Sequence, residues 1–191
     1  MTAKEVMIRA QRTPNPHAMK FIVNQPLKKT GKVTYRSLEE ANGLSMVEDI
    51  FNLENIVQVF LFQNTMTVTH NGEWEGDELK SFVEPIVKTR FADHNPSFKT
   101  PDELAAEEKL RDRDKWSPER REIEEILDRT IRPGLQADGG DLEVTEYNHP
   151  ELYITFEGAC GSCPSSVMGT LQAIQSILQN EYHEDIQVIP E

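Results

Sequence analysis

Residues 92–117 constrain the fold of this chain more than any other stretch of its sequence. The segment "ADHNPSFKTPDELAAEEKLRDRDKWS" has few apolar residues and dense mixed charge. This composition predicts an interdomain linker at 92–117, between a first domain at 1–91 and a second domain at 118–191. The charge distribution agrees with two domains, because residues 1–99 carry 12 acidic and 12 basic side chains, whereas residues 100–191 carry 21 and 8.

The first domain has the strand and helix patterns of an α+β fold. Short strands are predicted at residues 6–10 and 20–23, around the proline-containing loop "QRTPNPHA". Apolar residues at helical spacing predict a helix at 44–53. The segment "NIVQVFLFQNTMTVTH" predicts a β-hairpin with its turn at 63–64, and "GDELKSFVEPIVKTR" predicts a helix that Pro85 kinks or shifts.

The second domain predicts the order α-β-β-α-β. Its first helix begins with Ser117 as N-cap and Pro118 at the first helical position, and the dipeptide at 133–134 ends it. Two strands at 142–147 and 152–156, a second helix and a final strand in "IQVIP" follow. The predicted fold class is therefore α+β, with two small α/β-sandwich-like domains joined by a charged linker, and with helices on one face of the second sheet.

Net charge and hydropathy exclude several partners and compartments. A net charge of −13 argues against nucleic acid, because a polyanion repels such a chain. No apolar stretch is long enough to cross a membrane, and "MTAKEVMIRA" has neither a secretory apolar region nor the character of a transit peptide. These features predict a cytoplasmic protein.

Chemistry in this sequence concentrates at its two cysteines, Cys160 and Cys163 in "FEGACGSCPSS". The pattern places both in a loop between a strand and the N-terminus of a helix. Unpaired amides and the helix dipole favour the thiolate form there. Because a thiolate is both a nucleophile and a metal ligand, position alone leaves redox and metal roles open.

Ligand count distinguishes these roles further. Tetrahedral zinc and four-iron clusters both take four ligands, and the five histidines have no ligand spacing to the cysteine pair. A metal role therefore predicts a homodimer that shares one centre. Three alternatives remain on these residues: a thiol–disulfide oxidoreductase, a structural zinc dimer and an incidental cysteine pair.

Other candidate residues receive simpler interpretations. In the "ADGGD" turn, positive φ explains the glycines and solvent exposure explains Asp138 and Asp141. Ser165 and Ser166 are expected to cap a helix, since no His-Asp pattern accompanies them. With no catalytic base, activated nucleophile or phosphate-binding loop in the pattern, we expect a protein that is not an enzyme.

Both halves of the sequence resemble one known family. "IRPGLQADGGDLEV" and "LYITFEGACGSCPSSVMGTLQAIQSIL" are similar to the C-terminal domain of NifU/Nfu iron–sulfur scaffold proteins. "RTPNPHAMKFIVNQPL" and "VEDIFNLENIVQVFLFQNTMTVT" resemble the Nfu N-terminal domain. The two resemblances cover most of the chain, which lacks the separate cysteine-rich scaffold and ferredoxin-like domains of full-length NifU.

The resemblance implies a scaffold or carrier for an iron–sulfur cluster. By this resemblance, Cys160 and Cys163 are the ligands of a [4Fe–4S] cluster that bridges two protomers, with [2Fe–2S] or zinc as alternative occupants. The implied partners are a second copy of the chain, upstream cluster-assembly proteins that supply the cluster, and apo iron–sulfur proteins that accept it.

Overall fold

A computed structural model describes residues 5–41, 43–74, 77–100, 117–159 and 164–191, with only the backbone for 164–166. The chain divides into two compact units between Phe98 and Lys99. This division falls inside the stretch predicted as a linker. The sequence of that stretch also predicts a short helix after residue 101 and docking of Trp116 on a domain, and both predictions lie outside the described residues. The mixture of helices and strands in both units confirms the α+β class.

The first unit is a five-stranded antiparallel sheet with two helices. The strands pair in the order β1-β2-β5-β4-β3. Its elements along the chain are β1 (Ile8–Arg12), β2 (Ala18–Val23), β3 (Lys28–Tyr35), α1 (Ser45–Phe51), β4 (Ile56–Gln63), β5 (Thr65–His70), α2 (Glu78–Arg90) and a 3-10 turn (Phe91–Asp93).

One core connects the helices of the first unit to one face of the sheet. Alternate residues of the strands, such as Phe21 and Val59, meet the apolar side of each helix, represented by Ile50 of α1 and Val83 of α2. All four side chains are fully buried. Pro85 lies inside α2 without ending it. The predicted hairpin is confirmed, with residues Phe62 and Thr65 paired across its turn.

Strand β3 is the element of the first unit that the sequence analysis missed. Its sequence, KKTGKVTY, contains few apolar residues, and it lies at the edge of the sheet beside β4. Only its last part, with Val33 and Tyr35, contributes to the core. Strand β1 also begins two residues later than predicted.

The chain after α2 packs on the first unit through residue 98. The ring nitrogen Nε2 of His94 donates a hydrogen bond to the carbonyl oxygen of Leu27 at 2.6 Å. The backbone amide of Lys29 donates to the carbonyl oxygen of Pro96 at 2.8 Å. Lys28, fully buried, donates from Nζ to the carbonyl oxygen of Phe98 at 2.8 Å. These contacts attach to the first unit a segment that its composition assigned to the linker.

The second unit follows the predicted order with one additional helix. It contains α3 (Pro118–Thr130), α4 (Arg132–Ala137), β6 (Gly140–Asn148), β7 (Glu151–Gly158), α5 (Pro164–Glu181) and β8 (Gln187–Pro190). Strands β6 and β7 are antiparallel, and β8 lies parallel to β7 after the α5 crossover.

The helix end predicted at Pro133–Gly134 is wrong. Helix α3 ends at Thr130, and both residues lie inside α4 instead. Proline interrupts a preceding helix, but it also fits the first turn of a new helix, where its missing amide has no partner to lose. Helices α3 and α5 pack on the sheet through Ile123, Leu127 and Ile174, all buried.

Candidate functional site

The cysteine loop is the segment of residues 160–163, between β7 and α5. Strand β7 ends at Gly158 and α5 begins at Pro164. Cys160 and Cys163 themselves lie outside the described residues, so their assignment as ligands stays a prediction. The strand before these residues and the helix after them match the expected arrangement.

The turn between α4 and β6 holds the entry to the cysteine loop. Ala159 is buried, and its amide donates a hydrogen bond to the carbonyl oxygen of Gly139 at 3.1 Å. Gly139 has a φ of 83° and Gly158 a φ of 65°, both in the left-handed region that favours glycine. Gly140 pairs with Gly158 across β6 and β7. The "ADGGD" turn therefore lies beside the start of the loop.

Charged side chains form a network beneath this turn. Arg132, only 16% exposed, donates from Nη2 to Oε2 of Glu124 at 2.8 Å. Its Nη1 donates to Asp128, and its Nε lies 3.6 Å from Oδ1 of Asp141. Asp141 also accepts a hydrogen bond from the amide of Leu142 at 2.8 Å. One guanidinium thus contacts three carboxylates from α3 and β6.

The neighbouring carboxylates stabilise the protonated form of Arg132. Burial by itself lowers the pKa of the guanidinium, but the charges and hydrogen bonds of Glu124 and Asp128 outweigh it, so the pKa is raised. Arg132 therefore remains a permanent cation next to the turn that holds the cysteine loop.

Sequence reasoning missed this network and misjudged one of its members. Asp138 is exposed as expected, but Asp141 is buried, so solvent exposure does not explain it. The sequence shows an arginine, Arg132, shortly before the turn, but it does not show which residues of α3 contact that arginine. The expected positive φ is confirmed for Gly139.

The far side of the loop is the N-terminus of α5. This helix is 18 residues long and has no acidic residue in its first turn. The amides of a first helical turn have no partner within the helix, and with the dipole they stabilise nearby negative charge. Thiolates in the cysteine loop would benefit from this field. The side chains of Ser165 and Ser166 lie outside the described residues, so their capping role stays a prediction.

The histidines do not form a metal centre in the part of the chain that the structure describes, where no group of three or more His, Cys, Asp or Glu residues has a suitable arrangement. Tertiary structure pairs four of them in ring contacts. The rings of His17 and His70 lie 5.5 Å apart, and those of His149 and His183 lie 4.9 Å apart.

Within the described residues, no helix is long and apolar enough to span a membrane.

Two known domain families match the chain. Residues 8–94 match the family described as "Scaffold protein Nfu/NifU N terminal", and residues 123–189 match the "NifU-like domain". The second match contains the cysteine loop, the turn at Gly139 and the whole Arg132 network.

Curated relatives align along nearly the whole chain. The human "NFU1 iron-sulfur cluster scaffold homolog, mitochondrial" is 30% identical over 177 residues, covering 91% of this chain and 67% of the relative. The Arabidopsis thaliana "NifU-like protein 4, mitochondrial" is 28% identical over 184 residues, which cover 95% of this chain and 64% of the relative. A Drosophila willistoni relative with the same name as the human protein is 29% identical over 180 residues, which cover 94% of this chain and 61% of the relative. The chain thus spans about three fifths to two thirds of the length of these relatives.

Solved structures resemble parts of the chain. A solution structure of a NifU-like protein from Saccharomyces cerevisiae has a TM-score of 0.46 at 14% identity, and covers 52% of this chain and 91% of that one. The crystal structure of protein SAV1430 from Staphylococcus aureus has a TM-score of 0.37 at 17% identity, covering 43% and 96%.

The cytoplasmic location predicted from the sequence is wrong. The relatives in Arabidopsis, Drosophila and human are all named mitochondrial, which points to that compartment instead. That prediction rested on the composition of residues 1–10, which does not by itself determine the compartment.

The two family matches cover separate parts of the chain in the same order as the two units, and the human relative is 30% identical over most of its length. The chain belongs to the Nfu/NifU family of iron–sulfur cluster scaffold proteins.

Proposed function

We propose that two copies of this chain hold one [4Fe–4S] cluster between them and pass it to apo iron–sulfur proteins. Cys160 and Cys163 of each copy would supply the four thiolates. The observation that carries the proposal is the ligand count: a four-iron cluster takes four cysteines, and this chain has two. The membership of the chain in a scaffold family supports the same role.

The surroundings of the loop support cluster binding by thiolates. The N-terminus of α5 favours negative charge on the cysteines, and the turn at Gly139 holds the strand that leads into them. Since each copy holds half of the ligands, separation of the two copies would release the cluster. A carrier requires such a route of release.

The proposed partners follow from this role. Upstream assembly proteins would supply the cluster, because the chain has no further cysteine with which to mobilise sulfur. Apo-proteins that need a four-iron cluster would accept it. The chain would act as a scaffold and carrier rather than as an enzyme.

Anaerobic reconstitution with iron and sulfide tests the proposal. We expect a brown dimer with about four irons and four sulfides per two chains. Cys160→Ala and Cys163→Ala should each abolish cluster uptake, whereas Thr145→Ala, an exposed change on β6, should leave it unchanged. Transfer is then measured as activation of an apo-enzyme that requires a four-iron cluster.

Other outcomes would identify the alternatives. A monomer that binds no iron and reduces disulfides would establish a thiol–disulfide oxidoreductase in place of a carrier. Tightly retained zinc at one ion per two chains would indicate a structural site. Two irons per dimer would replace the four-iron cluster with a [2Fe–2S] form.

A further inference from the structure

The exposed side of α5 carries no charged residue over most of its length. The first charge in this 18-residue helix is Glu181, its last residue. Seven exposed residues, here called the α5 face, line this side of the helix. They are Met168, Gly169, Gln172, Ala173, Ser176, Gln179 and Asn180.

Of the two long helices that the structure describes in the second unit, only α5 lacks charge over most of its length. Helix α3, with the sequence PERREIEEILDRT, carries eight charged residues in 13. The whole chain has a net charge of −13, and the excess of acid lies in residues 100–191. Solvent contact alone favours charged residues at exposed helix positions, as α3 illustrates. The composition of α5 therefore calls for a different explanation.

Met168 marks the end of the α5 face nearest the cysteine loop. Its side chain is 61% exposed, although methionine gains free energy when it is buried. It follows the start of α5 at Pro164 by four residues, which is about 6 Å along a helix axis. The uncharged face thus begins slightly more than one helical turn from the start of α5 and extends away from it.

We propose that the α5 face is the surface on which a second copy of this chain docks, so that the two cysteine loops meet at one end of a shared interface. This inference rests on the proposed cluster-bridged dimer and adds the protein surface that forms it. Its occupant is a second copy because the face begins next to a loop that holds only half of a cluster site.

Charge also favours a second copy over an acceptor protein. Two identical acidic chains that dock through a two-fold interface bring like charges together, and each such pair is destabilising. An uncharged face avoids this repulsion. A surface that captures basic acceptors would instead use acidic residues, which raise association rates through complementary potentials.

Single charges placed on the α5 face test the proposal. We expect Met168→Glu and Gln172→Glu each to raise the dimer dissociation constant of the reconstituted protein by about tenfold or more, because each places two like charges in one interface. Sedimentation velocity over a range of protein concentrations measures this constant. High salt should partly restore the dimer, since screening weakens the repulsion.

Gln187→Glu is the matched control, because it adds the same charge at an exposed position of β8. It should leave the dissociation constant within about twofold. Circular dichroism and thermal unfolding confirm that each variant is folded, as expected for exposed positions.

The outcomes separate this inference from the proposed function. If the wild-type chain takes up no cluster, the proposed function fails. If the wild-type chain forms the cluster dimer but both α5 variants dimerise equally well, the docking surface is overturned while the proposed function stands. Variants that keep the dimer and lose only transfer to an apo-enzyme would assign the face to acceptors, which also overturns the inference.

Discussion

At the scale of single residues, Arg132 neutralises the buried acid of the second unit. It contacts Glu124, whose side chain is 14% exposed, and Asp141, whose side chain is 5% exposed. A carboxylate removed from water is costly unless a cation and hydrogen bonds compensate it. The guanidinium suits this position, because its fixed fork of donors reaches several carboxylates at once.

We expect Arg132→Gln to lower the free energy of unfolding of the second unit by about 3 kcal/mol, because Glu124 and Asp141 would lose the cation that compensates them. Arg129→Gln is the control. Arg129 pairs with Glu181 but is 59% exposed, so its loss should cost less than about 1 kcal/mol. Urea unfolding followed by circular dichroism measures both values. Equal effects of the two substitutions would contradict a buried network.

His94 is a second residue whose environment has a measurable consequence. Burial lowers its pKa, and the hydrogen bond to Leu27 only partly opposes this. Its Nε2 donates to the carbonyl oxygen of Leu27. The other ring nitrogen, Nδ1, is buried with no hydrogen-bond partner in the described part of the chain. Protonation of Nδ1 would therefore place an uncompensated charge inside the first unit.

The stability of the first unit should consequently fall as the solution becomes more acidic. Above about pH 6.5 His94 is neutral in both states, and below it the unfolded chain binds a proton that the folded chain resists. Unfolding then becomes easier by at most about 1.4 kcal/mol per pH unit for this histidine. His94→Gln, whose side-chain amide reaches the position of Nε2 and can donate to Leu27, should reduce the slope.

Fluorescence of Trp74 in a Trp116→Phe background reports unfolding of the first unit, since Trp74 packs against its core. His70 contributes to the same slope, because burial and the charge of His17 lower its pKa. The free energy of unfolding should depend least on pH when His70 and His94 are replaced together. A slope that His94→Gln leaves intact would show that the buried ring does not control the acid response.

At the scale of elements, the turn between α4 and β6 connects the fold to the cysteine loop. Gly139 reverses the chain with a positive φ and accepts the hydrogen bond of Ala159. The same residue therefore shapes the turn and holds the strand that leads into the cysteines. A change in its backbone would alter both.

Gly139→Ala should destabilise the second unit by about 1–2 kcal/mol, because a Cβ atom is strained at this φ. Gly134→Ala is the opposite case. Gly134 lies in α4 and an added Cβ would have no heavy atom within 4 Å, so alanine should stabilise by roughly 0.5–1 kcal/mol. Thermal unfolding of both variants measures the difference. Similar shifts in the same direction would disagree with the backbone conformation described for the turn.

At the scale of the whole molecule, the net negative charge opposes the association of two copies of the chain. Two copies at a net charge of −13 repel each other, and the proposed dimer forms against this repulsion. Salt screens charges beyond about 10 Å at 0.1 M. Raising the salt concentration therefore removes an unfavourable contribution that does not depend on the details of the interface.

We expect the dissociation constant of the reconstituted dimer to decrease several-fold when salt is raised from about 0.05 to 0.5 M. Analytical ultracentrifugation at constant iron content measures this change. Potassium chloride and sodium chloride should act alike, because screening depends on ionic strength. A dimer that weakens steadily with salt would mean that attractive ion pairs, and not an uncharged face, hold the two copies together.

Local patterns were sufficient for the elements whose residues determine their own structure. The hairpin of β4 and β5 follows from alternating apolar residues around a two-residue turn, and α2 follows from helical spacing. Strand β3 was not predictable in this way. Its lysines and threonines resemble a loop, and pairing with β4 is what makes the segment a strand.

By itself, the sequence determined the order of most elements, without β3 and α4, the position of the two cysteines before a helix and the ligand count from which a second copy is proposed. Tertiary structure alone decided which distant groups meet: Arg132 with Glu124 and Asp141, His94 with Leu27, and Gly139 with Ala159. The physical reason is range. Periodicity and turn chemistry act between neighbours along the chain, whereas burial and ion pairing depend on neighbours in space, which are known only once the elements have packed.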